Sequence, residues 1–594
     1  MKPLTRIACA IALALPLGNA AFAAQAAPMA AATATSPADQ TFMRLADHYF
    51  DDYYFPANPS TATADGLHAW DGKLEDYSRA GVDANIKALK QWEARVAAVD
   101  PKMLSQFVQG DRELVLNNIR SSLLTLETIR PWQKNPDNYS SGITSSAFTL
   151  MERKFASPET RLRALIAREK QMPAVLADAR KNLDNPPAIY TQIALEQLPG
   201  LVSFFQHDVP SAFADVSDAD LKKQFADSNG AVIKALQDYQ AWLKTDLLPR
   251  SHGDFRIGAQ AFRDKLKYDE MVTLPLDQLV AIDMANMRAN QQQFAKVAHE
   301  LDPAKTPQQV LAELAADHPA PDKLLDVFRG SLDKLVDFIK QHHVITVPSD
   351  VRPIVEETPP FMRATTFASM DTPGPYETVA KEAYFNVTLP DPSWDKQRTD
   401  EFMAQFNYPV INSVATHEAY PGHYIQFLWM HHLDDRVRKL LGANTNVEGW
   451  AHYCEQMMLD QGLAQFLYPH DRRQQLLLRL GQLQDALLRN ARFVVGIRLH
   501  TGQMTMAQAE DFFVKEGYQS HAVGEVETKR GSSDPTYLYY TLGKLEIQKL
   551  RTDLQAKQGK NFNLEHFHDA FMQQGFAPIA IVRKAMLHDD SPVL

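Results

Sequence analysis

The sequence predicts a mainly α-helical protein with one small β-sheet placed just ahead of a candidate metal-binding helix. Three observations predict it. Apolar residues recur at helical spacing through most of residues 75–345, in long segments punctuated by Pro, Asp, Asn and Ser. Short runs rich in Val, Thr, Phe and Tyr, bounded by Pro or Gly, cluster between 343 and 390. The stretch THEAYPGHYIQ, Thr416 to Gln426, follows them and carries two histidines and a glutamate.

The chain begins as an export signal. Lys2 and Arg6 form a basic start, residues 7–18 an apolar run, and Ala-x-Ala cleavage candidates follow at 21–23 and 24–26. This predicts a signal peptide over 1–26 and a periplasmic or secreted protein. The apolar run is too short to span a bilayer, so no stable membrane insertion is expected after cleavage. Cys9 lies inside the apolar run, which argues against a lipid anchor on it. Only Cys454 remains in the mature chain, so no internal disulfide can form. Residues 27–36 read as a disordered linker, and 37–594 as one domain: a helical shell (37–342) followed by a metal-site half (343–594). At 45% hydrophobic and 22% charged residues, 594 residues suffice for a large core. The net charge of −11 is spread without long acidic blocks and without a basic face, which excludes a nucleic-acid binder.

Ser36-Pro37 opens the first helix as N-cap and N1, and Phe42, Leu45, Ala46, Tyr49, Phe50 and Tyr54 give its apolar stripe up to DYYFPANP. Amphipathic helices are predicted over 85–99, 112–129, 160–182, 218–247 and 276–300. Strands are predicted at VITVPSD (344–350), RATTFASM (363–370) and EAYFNVTLP (382–390), with PGPYE (373–377) as a loop. Their edge could take up an extended peptide backbone, or the strands could be a purely structural hairpin.

In HEAYPGH, His417 and Glu418 are adjacent and His423 follows five residues after the glutamate. The nearest motif with a mechanism is H-E-x-x-H, in which two histidines bind zinc and the glutamate acts on a zinc-held water. Here two extra residues separate the histidines. Six positions at about 100° each carry the second ring about 240° around a regular helix. Pro421 and Gly422 lie in the gap, so a bulge at 420–422 can swing His423 back beside His417. The plain alternative is a helix ending at a Pro-Gly turn with surface histidines.

NVEGWAHYCEQMMLD, residues 446–460, reads as a helix with Glu448, His452 and Glu455 on one face. Glu448 would complete a three-ligand site with one position left for water, the catalytic zinc arrangement. His452 is a rival ligand, and Glu455 a partner that orients a histidine. A long helix follows over 471–500, with Arg492, Arg498 and His500 as odd members, then one near 506–517. In KRGSSDPTYLYYTLGKLEIQKLR (529–551), RGSSDP reads as a loop and Tyr537 onward as a helix. A tyrosine hydroxyl there could donate to an oxyanion, and an arginine could clamp a carboxylate; aromatic core packing accounts for at least one of the tyrosines.

Together, HEAYPGH, NVEGWAHYCE and the 529–551 segment resemble the bacterial family catalogued as domain of unknown function 885. The likeness extends to PPFMRATTFASMDTPGPYE and FHDAFMQQGFAPIAIV. That family looks like a distant relative of the helical zinc peptidases, of the angiotensin-converting enzyme and thimet oligopeptidase type. The resemblance implies a large helical, two-lobed, zincin-like cleft with a small sheet beside the metal helix. It implies one Zn2+ per chain on His417, His423 and Glu448, with Glu418 as the base. It places Tyr540 at a transition-state tyrosine, Tyr537 at a carboxylate binder, and Arg530 where those peptidases carry a histidine. The expected function is that of a secreted zinc metallopeptidase acting on short peptides. The alternatives are a non-catalytic periplasmic protein that binds metal or peptide through an eroded site, and the same site cleaving a non-peptide amide or ester.

Overall fold

The computed structural model describes residues 36–359, 363, 366–589 and 591–594. The expected signal peptide, and all of the linker but its last residue, lie outside them. The protein is mainly helical with one three-stranded sheet. Among the described residues no helix is long and apolar enough to cross a membrane.

The first helix, Pro37–Tyr49, starts as its sequence requires. Ser36 Oγ accepts from Asp39 N–H, and Asp39 in turn accepts from Ser36 N–H. DYYFPANP does not stop it: the chain runs through a π turn (Phe50–Tyr54) into Phe55–Ala57. Pro56 follows directly on the π turn, whose last hydrogen bond runs from Phe55 N–H to Phe50 C=O. The segment expected as one helix over 160–182 is two, Pro158–Glu169 and Met172–Asn182. The break falls where Gln171 N–H turns back to Arg168 C=O, and Pro173 opens the second helix.

The sheet consists of β1 (Ile354–Glu357), β2 (Ala368–Asp371) and β3 (Tyr384–Val387), in the order β1-β3-β2. β1 runs parallel to β3, and β2 antiparallel. VITVPSD is not a strand. Val344 and Ile345 are buried in the main apolar cluster, but their segment has no strand partner, and the strand forms ten residues later. β-Composition marks burial as much as pairing.

The largest apolar cluster joins distant parts of the chain: Phe42, Phe50 and Phe55 from the start, Leu332–Ile339, Phe385 of β3, Ala415–Ile425 around the histidine motif, Trp450 and Met457, and Leu587. The cluster therefore ties the HEAYPGH segment, through intervening side chains, to helices from both ends of the chain. A second cluster lies within residues 139–247 apart from Ala380, and a third packs the Leu276–Leu301 helix on the Arg472–His500 helix.

Two buried histidines give the fold a pH dependence. His568 donates or accepts at both ring nitrogens, to Val344 C=O (2.7 Å) and Tyr453 OH (2.9 Å), and burial lowers its pKa to about 3. Burial likewise lowers His500 to about 4. Between those values and about 6.5 the unfolded chain binds protons that the native chain refuses. The share of stability carried by these two histidines is therefore full above about pH 6.5 and falls as the pH drops toward 4. Between about pH 6.5 and 4 the melting temperature of the parent should fall relative to that of His568→Gln; parallel curves would remove His568 from the account.

Candidate metal centre

The helix carrying His417 spans Tyr408–Glu418 and stops there; a new helix starts at His423 and runs to Met430. The expected bulge is thus a complete break. Pro421 forbids the helical bond to the carbonyl of His417, and the Tyr420–Pro421 peptide is cis. Gly422 N–H instead bonds to Thr416 C=O (3.0 Å). A Cβ at Gly422 would stand 1.8 Å from the His417 carbonyl oxygen and 2.4 Å from that of Thr416. Only glycine permits this fold-back, which seats the two imidazoles 4.8 Å apart, centroid to centroid, at 89°.

Glu448 comes from the helix Asn444–Asp460. Trp450 Nε1–H donates to Pro421 C=O at 2.9 Å, which ties this helix to the break. On its other side it meets the helix Tyr539–Gln558 backbone to backbone: Cβ atoms at Gly449 and Gly543 would clash at 2.5 and 1.9 Å. That close approach sets Glu448 beside Tyr540.

His417, His423 and Glu448 form one group. Glu448 Oε2 lies 3.3 Å from His417 Nε2 and 3.3 Å from His423 Nε2. It is buried and has no hydrogen-bond partner among the described residues. An orphaned buried carboxylate oxygen between two imidazole nitrogens calls for a cation. A tetrahedron with bonds of about 2.0–2.1 Å has edges of about 3.3–3.4 Å; the two edges from Glu448 match it, the three ligand atoms lie within 4.8 Å of one another, and the ligand types suit zinc.

Behind the group sits Glu455, whose side chain is fully buried. It accepts from His417 Nδ1 (2.7 Å) and His452 Nδ1 (3.1 Å) and forms an ion pair with Arg489 (3.1 Å). Burial alone would raise its carboxyl, but Arg489, His452 and His417 outweigh burial and hold it well below the usual range. An ionised carboxylate only accepts, so His417 carries a proton on Nδ1 and leaves Nε2 to face Glu448. Burial also opposes charge on His417, yet Glu448 and Glu455 push it up to about 9. Positive charge between His417 and Glu448, carried by a proton or by a cation, is what their surroundings favour. His452, the rival ligand, stands outside the group; burial, then Lys544, lowers it to about 3, so it supports Glu455 as a neutral ring. His423 Nδ1 has no partner among the described residues.

Glu418 ends its helix next to His417. No hydrogen bond or ion pair of its carboxylate is found among the described residues, and burial raises its pKa against the opposing pull of His417 and His423. Tyr540 is nearly buried, its ring 6.2 Å from that of His417 and inclined by 28°. Arg530 Nη2 donates to its hydroxyl at 3.2 Å, leaving the phenolic proton free to be donated onward. RGSS is not a loop: Arg530 to Ser533 form the last turn of the helix His521–Ser533, and only 534–538 link it to the next. Ser532 and Ser533 bond back to the carbonyls of Lys529 and Arg530, which lets serine persist there.

The sequence profile of one bacterial family of unknown function (DUF885) matches residues 59–586. The chain belongs to DUF885. No curated protein matches it. Among solved structures, a candidate lipoprotein of unknown function from Shewanella oneidensis is similar over 92% of this chain and 99% of its own, at 26% identity and a TM-score of 0.75. A candidate lipoprotein from Colwellia psychrerythraea covers 93% and 99% at 18% identity and a TM-score of 0.76, a likeness of fold.

In this DUF885 chain Tyr537 stands apart from the other expected site residues. It is fully buried, and its hydroxyl, near Gly531, has no partner among the described residues. A substrate carboxylate cannot reach it in this conformation. Tyr537→Phe should accordingly leave KM unchanged and stability equal or slightly higher, because an unsatisfied buried hydroxyl is removed; a raised KM for free-acid peptides would return it to the site. Arg489 and Arg492, both from the Arg472–His500 helix, were not legible as site residues. Arg492 forms a buried two-point pair with Glu527 (2.7 and 2.8 Å), and the Arg489, Arg492 and Arg530 guanidinium carbons stand 5.5, 5.0 and 5.9 Å from the Tyr540 ring centre.

Proposed function

We propose that the protein is a zinc-dependent hydrolase that cleaves short peptides, held in a two-lobed helical cleft of the zincin type. The observation that carries this reading is the orphaned Glu448 Oε2, equidistant from two imidazole nitrogens at a tetrahedral edge length. The sequence resemblance to helical zinc peptidases supports it.

His417, His423 and Glu448 would hold the zinc. Zinc bound there supplies a Lewis acid that acidifies a water and polarises a carbonyl. Glu418 accepts the proton at its unpartnered carboxylate and returns it to the leaving amine. Its burial favours the protonated form, so the carboxylate is a better base than one in water. Glu455 fixes His417 in the tautomer that presents Nε2, and Arg489 and His452 fix Glu455. The Tyr540 hydroxyl donates to the oxyanion as it develops, with Arg530 behind it. Arg530 is the least engaged of the three arginines around Tyr540: its ion pair with Asp534 is 3.5 Å long and its side chain is about a third exposed. It is the group that would meet a substrate carboxylate.

The test is digestion of a short-peptide library by purified protein, before and after chelation and after zinc is restored. Cleavage that is lost with the chelator and regained with zinc is the expected result. Zinc binding without cleavage would favour a non-catalytic protein, and cleavage of esters or non-peptide amides alone would change the substrate class.

A further inference from the structure

The face of the sheet turned away from the main core carries a second polar site. In register across the strands stand Glu356 on β1, Asn386 on β3 and Ser369 on β2, so the three side chains share one face. Asp371 lies two residues beyond Ser369 on that same face. Opposite them run the helices Asp137–Glu152 and Ala188–Ser203. Between sheet and helices is a cavity of about 370 Å3, lined by Ser369, Asp371 and Asn386 from the strands and by Ser141, Thr149 and Gln197 from the helices.

Three properties of this cavity point the same way. Its three polar groups from the strands keep oxygens without a partner among the described residues. Asn386 is 1% exposed, yet its Oδ1 has no partner among the described residues, nor has the buried Ser369 Oγ. Asp371 gives one oxygen to Arg153, and no partner of the other is found among the described residues. The surroundings are also acidic. Glu152, one turn on from Phe148 and Thr149, and Glu356, beside Asn386, have no hydrogen bond or ion pair among the described residues. Burial raises both carboxyls, that of Glu356 to about 7, and each is raised further by neighbouring carboxylates. Arg153 and Lys154 offset part of that charge, but Arg153 is already engaged with Asp371 and the Glu382 carbonyl. Finally, burying acceptors and carboxylates without partners costs stability, so a ligand carrying donors and positive charge is what the surface lacks.

We propose that this cavity binds the primary ammonium group of a small ligand, with Asp371 supplying the counter-charge at the cavity wall, Asn386 and Ser369 the remaining acceptors, and Glu356, next to Asn386 but outside the lining, adding negative charge behind them. An ammonium has three donors and no acceptor, which matches a carboxylate, an amide oxygen and a hydroxyl oxygen standing on one face of adjacent strands. The hydroxyls of Ser141 and Thr149 and the apolar side of Phe148 would line the ligand's stem. The site does not depend on the metal reading, because none of its residues belongs to the metal group.

The test is calorimetric titration of the purified full chain, without zinc and with zinc, using n-butylammonium chloride, n-butanol and sodium chloride as probes. Saturable, millimolar-range binding of butylammonium is expected, with none for butanol or sodium chloride. Glu356→Gln changes no shape and breaks no pair, and should weaken butylammonium binding by about tenfold. Asn386→Leu should weaken it too, with its fold checked by circular dichroism; should that variant misfold, Glu356→Gln alone decides. Equal binding of butanol and butylammonium, no saturable binding of butylammonium, or unchanged affinity in Glu356→Gln would overturn the proposal.

Discussion

Glu418→Gln is expected to bind one zinc per chain and to lose measurable turnover. The substitution keeps the length and shape of the side chain and removes only its ability to take a proton. Because Glu418 closes its helix beside His417 but stands outside the three-residue group, its loss leaves all three ligand atoms in place. A positioned general base contributes about a hundredfold to ten-thousandfold, so kcat should fall by that range while zinc content stays at that of the parent. The helix itself should be untouched, since no hydrogen bond of the Glu418 carboxylate is found to hold it. Loss of zinc from this variant would make Glu418 a ligand and reverse the roles assigned to it and Glu448.

Tyr540→Phe should lower kcat by about a hundredfold or more, with KM nearly constant. A donor that strengthens only as the oxyanion forms acts on the transition state and little on bound substrate. Removing one such donor costs about 3 kcal/mol. The ring, packed between His417 and the three arginines, stays, so fold and zinc content should match the parent. The hydroxyl also accepts from Arg530, and Phe would release that guanidinium. A rise in KM for free-acid peptides alone, with kcat unchanged, would show that Tyr540 acts by aiming Arg530 and makes no oxyanion contact of its own.

The meeting of His417 and His423 was legible because its constraints are local. A proline and a glycine between two histidines cannot continue a helix, and the glycine has no room for a Cβ, so the chain has one short way to fold back. Glu448 and Glu455 were legible by their shared helix face. Arg489 was not: an arginine in the middle of a long helix looks like any solvated arginine, and its partner Glu455 lies 34 residues earlier in sequence. The sheet was legible in existence and less so in place. Val344 and Ile345 have the composition of a strand, but whether a strand forms depends on a partner elsewhere in the chain, and β3 pairs ten residues further on. RGSSDP shows the opposite error. Its residues favour turns, yet Gly531 packs against the Tyr537 ring and the serines satisfy themselves on the backbone, so the helix runs through them.

The most direct test of the central claim is anomalous diffraction at the zinc edge from crystals of protein exchanged into zinc, beside the same measurement on Glu448→Ala. The account predicts one peak per chain, about 2 Å from His417 Nε2, His423 Nε2 and a Glu448 oxygen, and its loss in the variant. A parent protein without that peak, or a peak that survives in Glu448→Ala, would contradict it.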